Sequence, residues 1–188
     1  MHLPAVLLLS AVAATPAQIA NPGFEMIADG DAPAAWTPAP GHQPAALTTE
    51  APRSGERAAC IVGDGQPRAW RQTLAQPATR VYTASGWFRA RGLRLGPRDY
   101  ARFYFHILYK DRPYSDATQI YRDIPAGTYD WTRFSVRLVP QTQWPIDQIW
   151  VTVAAQASAG TLDFDDLELG PATALGGTLS MEWANGLK

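Results

Sequence analysis

Apolar and polar residues alternate with a period of two along much of this chain, the pattern of strands that bury one face. Within residues 80–91, Tyr82, Ala84, Gly86, Phe88 and Ala90 share one face, and Thr83, Ser85, Trp87 and Arg89 share the other. Within 101–110, Ala101, Phe103, Phe105, Ile107 and Tyr109 lie opposite Arg102, Tyr104, His106, Leu108 and Lys110. Further strands are predicted at 18–26, 47–50, 57–62, 69–74, 132–139, 149–154 and 161–169, with Phe134, Val136 and Leu138 looking inward. Turn chemistry separates them: Asn21-Pro22-Gly23, Asp29-Gly30-Asp31-Ala32-Pro33, Pro52-Arg53-Ser54-Gly55, Gly63-Asp64-Gly65 and a turn over 127–131. Residues 37–46, rich in proline and alanine, read as an extended loop. No stretch holds an amphipathic helical period for three turns. About nine short strands at such intervals predict an all-β protein, an antiparallel two-sheet β-sandwich of jelly-roll type.

The closing strand breaks its own phase. In Thr161-Leu162-Asp163-Phe164-Asp165-Asp166-Leu167-Glu168-Leu169-Gly170, the apolar side chains move from even to odd positions at Asp165-Asp166. A bulge there re-aims a carboxylate. If the strand pairs with the segment carrying Glu25, then Glu25 and Asp166 approach, and two carboxylates at close range need a cation or a proton between them. A structural metal ion is the first expectation. Asp163 and Asp165 read as exposed strand residues.

Composition narrows the class. The chain has 188 residues, 46% hydrophobic and 18% charged, enough for one domain with a substantial core. A net charge of −1 argues against a nucleic-acid partner, since no basic excess exists to meet phosphates. The apolar run 3–14, followed by small residues, reads as a signal peptide over residues 1–17 and implies a secreted or periplasmic protein. It is too short to span a bilayer comfortably, so no membrane partner is expected after cleavage. The domain then covers 18–170, and 171–188 read as a linker or tail. A lone Cys60 forms no internal disulfide and reads as a small core residue.

A set of landmarks follows in order: Asn21-Pro22-Gly23-Phe24-Glu25, Asp31-Ala32-Pro33 with Trp36, Ser54-Gly55, Trp70-Arg71-Gln72-Thr73-Leu74, Tyr82-Thr83-Ala84-Ser85-Gly86-Trp87-Phe88, Trp131-Thr132 and Phe164-Asp165-Asp166-Leu167. Together they resemble carbohydrate-binding modules of the cellulose- and xylan-binding group (families four, nine and twenty-two), over about residues 18–170. The resemblance implies a galactose-binding-like β-sandwich that binds sugar on a sheet face or cleft. It also implies a structural calcium, held by the Gly23 carbonyl, Glu25, Glu50, the Arg53 carbonyl and Asp166. Oxygen ligands of this kind suit a hard cation.

The strands at 80–91 and 101–110, read as neighbours, put Trp87, Arg89, Arg102, Tyr104 and His106 on one non-core face, with Trp70 and Gln72 at its border. Aromatic rings can stack on the flat C–H faces of sugars, and planar polar groups can meet their hydroxyls or a uronate carboxylate. The other reading of this face is a second core beneath covering loops. No G-x-S-x-G, P-loop or dinucleotide glycine pattern occurs, and His106 has no evident nucleophile beside it. The expectation is a non-catalytic module for a polysaccharide or oligosaccharide, in one setting the accessory of a catalytic domain or enzyme. The alternatives are a glycan-cleaving enzyme, lyase or hydrolase, on a jelly roll, and an adhesive domain that binds a protein.

Overall fold

The computed structural model of the protein describes residues 18–74, 81–140 and 143–171. The expected leader (1–17) and all but the first residue of the expected tail (171–188) fall outside the described residues. Among the described residues ten strands form, in chain order: β1 (Gln43–Pro44), β2 (Ala46–Thr48), β3 (Ala58–Val62), β4 (Arg68–Leu74), β5 (Tyr82–Arg94), β6 (Tyr100–Tyr109), β7 (Thr118–Asp123), β8 (Gly127–Leu138), β9 (Ile146–Gln156) and β10 (Ala159–Pro171). Sheet one runs β1-β4-β9-β6-β7 and sheet two runs β2-β3-β10-β5-β8. The pairings are antiparallel apart from the short parallel contact of β1 with β4. This is the expected all-β, jelly-roll sandwich.

The predicted inward residues make the core. Ala101, Phe103, Phe105, Ile107 and Tyr109 face it from β6, and Ile149, Val151, Val153 and Ala155 from β9. Sheet two contributes Tyr82, Ala84, Phe88, Phe134, Leu138, Leu162 and Phe164. The sheets meet where the Phe103 and Phe134 rings lie 4.9 Å apart, with Phe164 edge-on to Phe134 at 6.2 Å. Gly86 fits beneath them. A Cβ there would stand 2.6 Å from Leu167 Cδ2 and 3.0 Å from the Phe134 ring.

The structure departs from the sequence reading in several places. Residues 18–26 form no strand; they plug one end of the sandwich. Phe24 packs on Trp36 at 4.9 Å, and the Asn21 side chain bonds the backbone of Met26 and Ala34. Strand β7 was not foreseen, because as an edge strand with an exposed polar face it shows only Ile120 to the core. Strand β8 begins at Gly127, within the expected turn. Most consequentially, β5 and β6 lie in opposite sheets. Period-two alternation assigns residues to a face of their own strand and is silent on which sheet that strand joins.

Candidate functional site

The outer face of sheet one carries an open groove of about 280 Å³. Its floor is built from the residues that alternate with the core set: Arg71 on β4, Trp150 and Thr152 on β9, Arg102, Tyr104 and His106 on β6. Registry aligns them, since Thr152 pairs across to Arg71 on one side and to Tyr104 on the other. Trp150 likewise pairs with His106, and His106 with Gln119 of β7. Above the floor, the loop after β6 contributes Tyr114, and the loop before β1 contributes Ala39, Pro40 and His42.

The side chains hold one another in place. The Arg71 guanidinium carbon sits 4.3 Å over the Trp150 ring, and His106 meets that ring edge-on at 5.9 Å. The Tyr114 hydroxyl lies 3.1 Å from His106 Nδ1, with the two rings 4.9 Å apart. Arg102 sits between the Tyr100 and Tyr121 rings, at 5.0 and 4.7 Å. His42 Nδ1 is 2.9 Å from the Pro40 carbonyl, which can only accept, so that nitrogen carries the proton. Its Nε2 then accepts from the Tyr100 hydroxyl at 2.6 Å. Burial pushes the His106 imidazole below its ordinary value and raises the Tyr100 and Tyr104 phenols, leaving all three neutral at pH 7.

The candidate residues divide three ways. Arg102, Tyr104 and His106 lie together in the groove, as expected. Trp87 and Arg89 stand on the outer face of sheet two, on the far side of the sandwich, so the single shared face is not formed. Trp70 and Gln72 point inward from β4. Trp70 is 3% exposed within the core. Gln72 spends its amide on the plug, exchanging bonds with both backbone groups of Ala20 and donating to the Ala35 carbonyl. Arg71, lying between them in sequence, is the β4 residue that faces the groove. Arg71, Trp150 and Tyr114 went unrecognised. The alternation of Ile149, Val151 and Val153 with Trp150 and Thr152 already held the signal for Trp150.

Around Arg89, the outer face of sheet two is the covered second core that the sequence left open. Arg89 donates twice to Asp163 Oδ2, at 3.0 and 2.8 Å, and once to the Glu50 carbonyl. Its guanidinium carbon lies 4.9 Å from the Trp131 ring. Asp163 and Asp165, expected to be exposed, are both fully buried. The segment between β2 and β3 supplies N–H donors to Asp165, from Arg53 and Ser54, whereas the donors to Asp163 come from Arg89 and Arg91 of β5. Below, Arg53 lies 4.0 Å over Trp87.

The phase break on β10 is a bulge. Asp165 pairs with Trp87 and Glu168 with Ser85, which leaves one extra residue on β10. Asp166 takes φ +48°, a left-handed conformation that aspartate tolerates better than most residues. The Leu167 N–H then donates to the Pro22 carbonyl, joining the two ends of the domain. A Cβ at Gly23 would lie 3.4 Å from Asp165 Oδ1, 3.7 Å from Asp166 Oδ1 and 3.7 Å from Glu25 Cγ. Glu25 and Asp166 thus both border Gly23, although residues 18–26 do not pair with β10 as a strand.

These carboxylates already have donors. Glu25 accepts from the Glu56 and Arg57 N–H groups at 3.1 Å. Asp165 accepts from the N–H groups of Arg53, Ser54 and Asp166, and burial still pushes its carboxyl up to about 6. Asp166 takes the Ser54 hydroxyl at 2.7 Å and pairs with the Arg53 guanidinium. The Glu50 carboxylate, in the implied calcium set, pairs with Arg91 at 2.8 Å. Among the described residues, no three His, Cys, Asp or Glu are grouped to hold a metal. Glu25, Asp166 and Gly23 offer the right oxygen chemistry for calcium, but Asp166 shares itself with Arg53.

No protein-family model matches the chain, and no curated protein matches it. Solved structures do. A family 61 carbohydrate-binding module, TmCBM61, in complex with β-1,4-galactotriose superposes with a TM-score of 0.54 at 17% identity, covering 81% of this chain and 97% of its own. The first family 22 xylan-binding domain of Paenibacillus barcinonensis Xyn10C gives 0.52 at 12% identity, covering 81% and 92%. A cyclase from Fischerella sp. TAU, in complex with 4-(1H-indol-3-yl)butan-2-one, gives 0.53 at 17% identity, covering 82% and 97%. The chain therefore has the β-sandwich fold of the carbohydrate-binding modules of families 61 and 22.

Proposed function

We propose that this protein is an exported, non-catalytic carbohydrate-binding module that holds a polysaccharide or oligosaccharide along the outer face of sheet one. The observation behind this reading is the groove itself, where Trp150, Tyr104 and Tyr114 stand beside Arg71, Arg102, His106 and Gln119. Flat apolar rings interleaved with planar hydrogen-bonding groups match what a sugar presents on its faces and at its edges. The family 61 and family 22 neighbours, described as bound to a galactotriose and as xylan-binding, lend the same reading support. A glycan array beside a reducing-end release assay tests it: binding without release is expected. Binding should be micromolar to millimolar, about −4 to −8 kcal/mol.

The second reading is a glycan-cleaving enzyme. Hydrolysis through paired carboxylates has no support, since the described groove lining contains neither Asp nor Glu. The Tyr114–His106 contact would suit proton abstraction instead, so release of unsaturated sugar in the same assay would favour a lyase.

We further propose that calcium sits between Glu25 and Asp166 at Gly23, in a structural role away from the groove. Binding there requires the Arg53 guanidinium to leave Asp166. For export, the mature protein should begin between Ala14 and Gln18, which N-terminal sequencing of exported protein would check.

A further inference from the structure

The groove is one-sided in charge. Its described lining holds Arg71 and Arg102 and no acidic residue, in a chain whose net charge is −1. The cationic character is therefore local to this face and does not follow from the composition. Several arginines elsewhere are matched: Arg53, Arg89, Arg91 and Arg133 each pair with a carboxylate. Within the groove, Arg102 is matched as well, its Nε lying 3.2 Å from Asp123 Oδ1.

Arg71 differs. Within the groove it is the arginine without an ion pair among the described residues, and its buried Nε, like that of Arg102, has no hydrogen-bond partner. The stack on Trp150 holds its guanidinium plane at the groove floor. A planar fork of donors fixed in orientation matches a planar carboxylate through two parallel bonds. Single hydroxyls satisfy one donor at a time, and a polar group left unmet in a partly dry site is costly.

We propose, on the footing of the carbohydrate reading above, that the groove selects an acidic polysaccharide, with Arg71 receiving the carboxylate of a uronic acid residue. Arg102 adds a second positive charge, and His42 and His106 offer hydrogen-bonding groups beside it. The sugar ring attached to that carboxylate would rest against Trp150 and Tyr114. Arg71 is thus the specificity-determining residue, and the aromatic rings are the platform.

The test is calorimetric titration of the whole protein with polygalacturonate, alginate and glucuronoxylan, each beside its carboxyl-reduced counterpart. Carboxyl reduction keeps the backbone and removes the charge. At least one polymer should lose tenfold or more in affinity on reduction, and binding should weaken steeply with added salt. Arg71→Gln should bring binding of the acidic polymer down to the reduced polymer's level, with melting unchanged. Should Arg71→Gln fold poorly, Arg71→Lys serves: it retains charge without the fork, and a several-fold loss is expected. Equal binding of acidic and reduced polymers would overturn this inference while leaving the carbohydrate reading intact. Absence of binding to every glycan would remove both. Tighter binding of a sulfated galactan than of any uronate polymer would replace the carboxylate with a sulfate ester. Tighter binding of single-stranded DNA would move the groove to another ligand class.

Discussion

His106 shows how much one side chain's surroundings decide. Its described neighbours across the groove are Tyr104, Tyr114, Gln119 and Trp150, none of them charged at neutral pH, and burial lowers its pKa. The folded protein thus binds the imidazole proton less readily than the unfolded chain does. Stability from this group is present above about pH 6.5 and is lost as pH falls toward the lowered folded value. His106→Gln should therefore reduce the drop in melting temperature between pH 7 and pH 5, and equal drops in both proteins would contradict the assignment. Gly86 makes a different point. Sequence placed it correctly on the buried face of β5, but its reason is visible only in space, where Leu167 and Phe134 occupy the room of a Cβ. Gly86→Ala should cost about 1–3 kcal/mol through overpacking, read as a fall of several degrees in a thermal melt. Cys60 behaves as its setting dictates. Burial first, and the nearby Asp163 second, push its thiol up to about 12, so at neutral pH it is an inert core group.

At the scale of the strand, alternation was readable almost residue by residue. The inward rows of β5 and β6 and the bulge on β10 all followed from period two and its single break. Strand partnership was not readable. Trp87 and Tyr104 look alike from sequence, each an aromatic on the polar row of a long strand, but the chain crosses between sheets at 95–99 and sends them to opposite surfaces. The same limit hid the burial of Asp163 and Asp165. An aspartate on an outward row is exposed unless distant residues bring donors to it: Arg53 and Ser54 do so for Asp165 from more than a hundred positions away, and Arg89 does so for Asp163 from the neighbouring strand. Half of the groove was legible, through Arg102, Tyr104 and His106. The other half needed β9 placed beside β6, which only the fold provides. A pair of variants separates the surfaces. Trp150→Ala should abolish glycan binding with little change in melting, because its ring faces the groove. Trp87→Ala should leave binding intact and cost on the order of 1 kcal/mol, the worth of its contact with Arg53. Loss of glycan binding in Trp87→Ala alone would place the site on sheet two.

Across the whole molecule, the two ends of the described chain meet at one point, opposite in role to the groove. Ile19, Phe24 and Trp36 close the end of the sandwich, Gln72 fastens Ala20 and Ala35 to β4, and the Leu167 N–H reaches the Pro22 carbonyl. Around Gly23 this closure gathers Glu25, Asp165 and Asp166, whose mutual repulsion is offset by backbone N–H groups and by Arg53. Gly55 takes part: at φ +60° it lets the chain pass close to Glu25, where a Cβ would collide with the carboxylate. Calcium bridging Glu25 and Asp166 would add charge compensation that the guanidinium supplies only partly, and it would be linked to folding because the unfolded chain cannot assemble the site. At a hundredfold excess of free calcium over its dissociation constant, the linkage is about 2.7 kcal/mol. For a domain of this size that corresponds to roughly 5–10 °C in melting temperature, which a chelator should remove. Asp166→Ala should show the low melting temperature with calcium or without it. Glycan affinity in the folded protein should be the same in both conditions, because Glu25, Asp165 and Asp166 do not line the groove. A melting curve that neither chelator nor added calcium moves would mean that Arg53 alone serves as the counter-ion. In that case Arg53→Ala should lower the melting temperature, and added calcium should restore part of the loss.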